Sequence, residues 1–221
     1  MPAKHSALEL EIIDRQTEAR LAATGCAALA DAEAESVVLF DIGGGSSEVI
    51  CWGVRTHDAV GAGHDRIRFW VSLKLGVVTA RGKIRAALRF LMRPLRPWSR
   101  MSPPASRSSL RSRCPISVAG RFHLLGTSGT VTTIGGIFLN LPRYDRRRVD
   151  GLWMSDAEID TTVKRLRRMS YAERAANGCI GVERADLVLA GCAILEAIRR
   201  AFPARRVRIA DRGLREASCC N

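Results

Sequence analysis

From Val37 to Val54 the chain reads VVLFDIGGGSSEVICWGV, two apolar runs joined by three consecutive glycines and two serines. Such runs on either side of a glycine turn specify an antiparallel hairpin, and runs this apolar need cover on both faces. The hairpin puts Asp41 at the end of its first strand and Glu48 near the start of its second, close together at the mouth. Elsewhere the pattern alternates. Leu8–Ile13 predicts a short strand, followed by a helix capped by Asp14 with Ala19, Leu21, Ala22 and Ala27 near helical spacing. Residues 55–68 read as loop or edge, and VSLKLGVVTA (71–80) as a further strand or the start of a helix. RFHLLGTSGTVTTIGGIFL (121–139) predicts a strand, a tight turn and a helix. Ser155 with Glu158, and Ser170 with Glu173, make capping boxes. ADLVLAGCAILEAIRRAF (185–202) reads as a strongly apolar helix, and VRIADRGLREA (207–217) as strand, turn and helix start. Strands alternating with helices give an α/β domain.

The formal net charge of +13 invites a nucleic-acid reading, but its distribution argues otherwise. Residues 81–120 hold ten basic side chains and no acidic one; outside them 25 basic residues face 22 acidic ones. IRAALRFLMRPLRPW within this stretch has the makings of a basic amphipathic helix, which Pro94 and Pro97 would end. MSPPASRSSLRSRCP lacks apolar periodicity and reads as a disordered insert. The segment carries no recognised RNA-binding motif, so sequence-specific nucleic-acid readout is not expected. No apolar run reaches the ~20 residues that span a bilayer, and the polar start MPAKHSALELEIID is no signal peptide, so a cytoplasmic protein without a membrane partner is the expectation. Of the seven cysteines, Cys26, Cys51, Cys179 and Cys192 lie in apolar segments, and most of them read as small reduced core residues rather than zinc ligands or disulfides.

Three glycine turns follow strands: DIGGGSSE (41–48), GTSGT (126–130) and DRG (211–213). Glycine lets a backbone approach a phosphate with several N–H groups converging on it. In GTSGT the following helix would add its positive end, with the hydroxyls of Thr127, Ser128 and Thr130 as further donors. Neither of the first two turns is a Walker A loop or a dinucleotide fingerprint. Asp41 and Glu48 offer hard oxygen ligands suited to Mg²⁺; the bland alternative is that Asp41 caps the turn and Glu48 faces solvent. Glu18 is placed to orient or deprotonate water only by position, and periodicity alone makes it a solvated helix residue.

Taken together, EIIDRQTEARL, DIGGGSSEVI, GTSGTVTTIGGIFLNLPRYDRRRVDG and RADLVLAGCAILEAIRRAFPARRVRIADRGLREA resemble the Ppx/GppA phosphatases, the exopolyphosphatases and guanosine pentaphosphate phosphohydrolases. The resemblance covers roughly residues 8–80 and 121–217. It implies an RNase H-like domain of the actin-like ATPase and sugar-kinase superfamily, a mixed sheet flanked by helices. The activity implied is hydrolysis of the terminal phosphoanhydride of polyphosphate or guanosine pentaphosphate by Mg²⁺-assisted attack of water. Full-length relatives would form a homodimer. By the same resemblance Glu18 falls on the general base and Asp41 and Glu48 on the Mg²⁺-associated carboxylates. Gly43, Gly44, Gly45 and Ser46 form one phosphate loop, and Gly126, Thr127, Ser128, Gly129 and Thr130 a second glycine motif. Tyr144, Asp145, Arg184, Asp186, Asp211 and Arg212 match motifs read as structural.

The chain departs from that pattern in three places. The family's first domain, with its own phosphate loop, is absent, which makes residues 1–80 and 118–217 a second domain by itself. Residues 81–117 are Arg/Ser/Pro-rich where the family carries a mixed-charge segment, a composition expected of a GC-rich gene read out of frame. The end, ASCCN, replaces an apolar helix. The expectation is a truncated and partly frameshifted family member that carries half of the family's crevice, its activity without the first domain left open by the sequence. The alternative is a non-catalytic fragment that binds polyphosphate or RNA through the basic segment 81–113.

Overall fold

The structure, a computed structural model, describes residues 13–54, 67–80 and 121–217. The predicted strand at Leu8–Ile13 except its last residue, most of the 55–68 loop and the whole 81–117 segment lie outside the described residues.

Six strands form one mixed sheet in the order β3-β2-β1-β4-β6-β5. They are β1 (Ser36–Ile42), β2 (Ser47–Gly53), β3 (Ile67–Leu73), β4 (Phe122–Thr127), β5 (Trp153–Ser155) and β6 (Arg206–Ile209). β1, β4 and β6 run parallel through the middle, while β2, β3 and β5 pair antiparallel at the flanks. The predicted hairpin is β1–β2, in register from Ser36↔Gly53 to Ile42↔Ser47.

Side-chain alternation along a strand sorts the sheet into two cores. Val38, Phe40, Ile42, Val49, Cys51 and Leu124 point to one face, and Val37, Leu39, Ile50, Trp52 and Leu125 to the other. The first face is covered mainly by α3 (Gly129–Phe138), α5 (Asp156–Arg168) and the apolar α7 (Val188–Ala201). The second is covered by α1 (Arg15–Cys26), whose Ala19, Ala22, Ala23 and Cys26 recur at helical spacing and are all buried. Asp14 caps α1 as expected, its Oδ1 accepting from the Thr17 N–H at 2.7 Å. Both capping boxes are present, on α5 and on the short α6 (Tyr171–Ala176). Residues 71–80 resolve into the end of β3 and the single turn α2 (Val77–Ala80). Two further short helices, α4 (Arg146–Val149) and α8 (Leu214–Ala217), complete the described fold. Among the described residues no helix is long and apolar enough to cross a membrane.

Cys26, Cys179 and Cys192 are buried free thiols, and burial pushes Cys26 and Cys192 up to about 12. Cys51, buried on β2, corrects the reduced-core expectation, being disulfide-bonded.

α1 is keyed to the far end of the chain through Gly25. A Cβ at that position would stand 2.0 Å from the Gly213 carbonyl oxygen, a backbone atom with no rotamer to yield. Helix propensity alone favours Gly25→Ala by about 1 kcal/mol, whereas overpacking of a tight contact costs roughly 1–3 kcal/mol. The clash is with backbone on both sides, so the second effect wins. Gly25→Ala is expected to lower the melting temperature by about 5 °C in a thermal scan; an unchanged or higher value would mean that α1 does not dock as described.

Candidate functional site

The site begins with strand register. Asp41 on β1 pairs with Glu48 on β2 and, on its other side, with Thr127 on β4; Glu48 in turn pairs with Ser72 on β3. Register partners share a face, so Ser72, Glu48, Asp41 and Thr127 make one polar row across four strands. Asp41 continues the alternation of Val37 and Leu39, which places the row on the α1 face, just past where the apolar core of that face ends. Glu48 is buried at 8% exposure and its Oε1 accepts from the Ser72 hydroxyl at 2.8 Å. It does not face solvent, and Asp41 is partly buried beside it. Both observations count against the bland alternative for this pair.

Glu18 is exposed on the first turn of α1, over the same face. Its charge reaches the row: the Asp41 carboxyl is pushed up to about 6, first by burial, then by the Glu48 and Glu18 carboxylates. Three carboxylates thus share one neighbourhood, and among the described residues none of the three forms an ion pair. The described residues contain no ready-made group of three or more metal ligands.

Two glycine turns bound the row. Between β1 and β2, the Gly43 N–H donates to the Ser46 carbonyl at 2.9 Å. The carbonyls of Gly43 and Gly44 accept from Val77 and Val78 at the start of α2, at 2.9 and 2.8 Å. Carbonyls are drawn to one side, leaving the amides of Gly44 and Gly45 without a described acceptor. At Gly45 a Cβ would meet nothing within 4 Å, so the turn opens on free space. Two backbone donors of this turn thus remain available to a ligand.

The second turn leads from β4 into α3 through Ser128, which holds φ at +88°, a conformation rare outside glycine. Strain of this kind persists where the surroundings impose it, and here they do. The Ser128 Oγ accepts from the Ile42 N–H at 3.3 Å, tying the second turn to the first. The amides of Gly129 and Thr130, in the first turn of the ten-residue α3, have no intrahelical acceptor.

The predicted residues therefore separate into two groups. Gly43, Gly44, Gly45, Ser46, Ser128 and Gly129 line the two turns, with Asp41, Glu48 and Glu18 beside them. Gly126 instead lies within β4, where a Cβ would meet the Phe40 ring at 2.5 Å, so its smallness serves packing. Thr127 donates its hydroxyl to the Arg212 carbonyl at 2.6 Å. Thr130 is buried against Gly191 of α7, with its Oγ1 2.2 Å from where a Gly191 Cβ would be. The Thr127 hydroxyl is thus spent on the fold, and the Thr130 side chain is turned into the packing against α7.

The DRG turn is also structural. The Tyr144 hydroxyl donates to Asp211 Oδ2 at 2.6 Å, Arg146 pairs with Asp211 and Glu216, and Arg212 Nε donates to Asp150 at 2.7 Å. Burial and the Asp211 bond push the Tyr144 phenol well above its usual range. Asp145 caps α4 through the Arg147 N–H at 2.9 Å. Arg184, read from sequence as structural, lies differently: its Cζ is 3.2 Å from where a Gly129 Cβ would stand. An exposed guanidinium thus sits over the N-terminal turn of α3. Sequence offered only the adjacency of Arg184 to Asp186 in ERAD, which says nothing of Gly129.

The mixed sheet with parallel centre strands, its glycine hairpin and its helix-opening glycine turn agree with the actin-like ATPase fold expected from the sequence. A profile of the Ppx/GppA phosphatase family matches residues 2–220, and the chain belongs to that family. No match was found among curated proteins. Among solved structures the chain resembles an exopolyphosphatase-like protein at 20% identity and TM-score 0.73, over 96% of this chain and 67% of that one. It resembles the Aquifex aeolicus Ppx/GppA phosphatase at 22% identity and TM-score 0.66, over 94% and 63% respectively. An exopolyphosphatase from Cytophaga hutchinsonii matches at 18% identity and TM-score 0.68, over 96% and 65%. The chain thus spans about two thirds of the length of these structures, and at such identities they speak for the fold.

Proposed function

We propose that the described domain is one wall of a phosphate crevice in a hydrolase that releases the terminal phosphoryl group of polyphosphate or guanosine pentaphosphate. The observation that carries this reading is the row Glu48–Asp41–Thr127, in register and flanked by the two glycine turns. Membership of the Ppx/GppA family supports the substrate class. The open amides of Gly44 and Gly45, with those of Gly129 and Thr130, suit the oxygens of a phosphate chain, and the Arg184 guanidinium adds a charge at the second turn. Backbone donors fixed before the substrate arrives need no reorganisation as charge shifts toward the leaving oxygen.

The donor set also fits Mg²⁺. Asp41 and Glu48 are hard oxygen ligands in a negatively charged, partly dehydrated position with no described cation to balance them. Mg²⁺ takes one or two carboxylates and completes its shell with water and phosphate oxygens, so the lack of a three-ligand cluster is no obstacle. When bound, it would neutralise phosphate charge and polarise the transferred group. Glu18, held on a capped helix above the row, accepts the proton of the attacking water.

The test is inorganic phosphate release from polyphosphate and from guanosine pentaphosphate by the purified chain with Mg²⁺, beside Arg184→Ala. We expect release from at least one substrate, with Arg184→Ala raising KM roughly tenfold and changing kcat less, since the charge helps substrate and transition state alike. No release from either, with the protein folded, would overturn the proposal for this chain.

A further inference from the structure

A second anion-binding feature lies away from the crevice. Thr161, Lys164, Arg165 and Arg168 share one face of α5, each three or four positions from two of the others. Their neighbours Ile159, Thr162 and Leu166 turn the opposite way, into the core. With Met169 and Glu173 from the α5–α6 junction, the four line a cavity of about 370 Å³. Three of the six lining residues are cations and one is a carboxylate. That carboxylate is already engaged: Glu173 Oε2 accepts from the Ser170 N–H at 2.6 Å and closes the α6 capping box. Arg165 is held at the far end of α3, donating to the Ile137 carbonyl at 3.3 Å and to the Asn140 side chain. Lys164 and Arg168 are exposed, and neither forms an ion pair with a described carboxylate.

We infer that this cavity is a second site for condensed phosphate, separate from the crevice. Lys164 and Arg168 have no described partner, whereas the acidic side chains Asp156 and Asp160 of α5 hold Arg199 at 2.5 and 2.8 Å. Cations three to four residues apart on a helix stand ~5–6 Å from each other, a spacing at which one multiply charged linear anion is gripped at successive points. The lining contains no aromatic ring on which a base would stack, which favours an inorganic phosphate oligomer over single-stranded nucleic acid. Crevice and cavity sit at opposite ends of α3, whose ten residues span roughly 15 Å. The two sites are therefore distinct to any residue-level probe, and this one needs no turnover.

The test is a titration of the full chain with tripolyphosphate, following backbone amide shifts by NMR, repeated with orthophosphate and with single-stranded RNA at matched ionic strength. Tripolyphosphate is expected to shift amides within 161–173. Lys164→Glu with Arg168→Glu should weaken that response roughly tenfold or more, while shifts at 43–46 and 128–130 persist. Lys164→Ala with Arg168→Ala serves if charge reversal disturbs folding, with the same expectation. The inference is overturned if 161–173 does not respond, if the response survives both double variants, if orthophosphate matches tripolyphosphate, or if RNA is bound more tightly. Loss of phosphate release with the 161–173 response intact would strike the crevice reading alone.

Discussion

Asp41→Asn is expected to abolish phosphate release and, in metal-free buffer at neutral pH, to make the protein more stable. The two effects have one cause. Burial and the neighbouring Glu48 and Glu18 carboxylates push the Asp41 carboxyl from 3.8 up to about 6. The folded chain therefore holds this proton more tightly than the unfolded chain does. Below pH 4 the group is protonated in both states and carries no penalty. Between about 4 and 6 the unfolded chain ionises first, so stability falls as pH rises, and above 6 the loss is complete. A displacement of about two pH units corresponds to roughly 3 kcal/mol, an upper figure for a partly exposed group. Asparagine keeps the shape without the charge. Its melting temperature should exceed that of the native chain by several degrees at pH 7.5, and the gap should close below pH 4. Mg²⁺ should raise the melting temperature of the native chain and leave the variant unmoved, because only a state that binds the ion is stabilised by it. Phosphate release should fall at least a hundredfold. A variant less stable than the native chain at pH 7.5 would show that Asp41 serves the fold rather than the site.

That conflict between stability and chemistry was partly readable in the sequence. A hairpin is local, so DIGGGSSE alone places Asp41 opposite Glu48 once the turn is recognised. Asp14, Ser155 and Ser170 were legible as caps for the same reason, since a cap depends on residues three positions away. The alignment of Thr127 with Asp41 was not legible. It depends on which strand lies beside β1, and β4 is reached only after some eighty residues. Nor could spacing tell how the hydroxyls of GTSGT are used. Ser128 adopts a positive φ and its Oγ accepts from the Ile42 N–H, while Thr130, two residues on, turns into α7 because Gly191 leaves room for it. The approach of Arg184 to Gly129 was not legible either, since it joins positions far apart in the chain. What a turn contains is local information; what packs against it is not.

The largest loss of rate with the least structural disturbance is expected from Glu18→Gln. Glu18 sits in the capped first turn of α1. Its N–H donates to the Asp14 carbonyl at 2.9 Å, Asp14 caps the same turn, and the adjoining Ala19 is 1% exposed. Further along, Gly25 meets the Gly213 backbone and Cys26 Sγ donates to the Arg212 carbonyl at 3.3 Å, the carbonyl that also accepts from Thr127. The helix that carries the carboxylate is therefore coupled to the strand that carries the second glycine turn. Glutamine preserves volume, exposure and helix propensity, so the melting temperature should not change by more than a degree or two. What it removes is a proton acceptor. General-base assistance contributes roughly 10²–10⁴-fold, and the rate of phosphate release should fall by that factor while tripolyphosphate and Mg²⁺ still bind. A second readout separates a catalytic role from a structural one. Glu18 is one of the two charges that raise the Asp41 carboxyl, so in Glu18→Gln the Asp41 titration, followed by carboxyl-carbon NMR, should move down toward 3.8. Glu33→Gln, an exposed carboxylate outside the row, should change neither quantity. If Glu18→Gln keeps more than half of the native rate, or if Asp41 titrates as before, Glu18 is a solvated helix residue and the water is activated by another group.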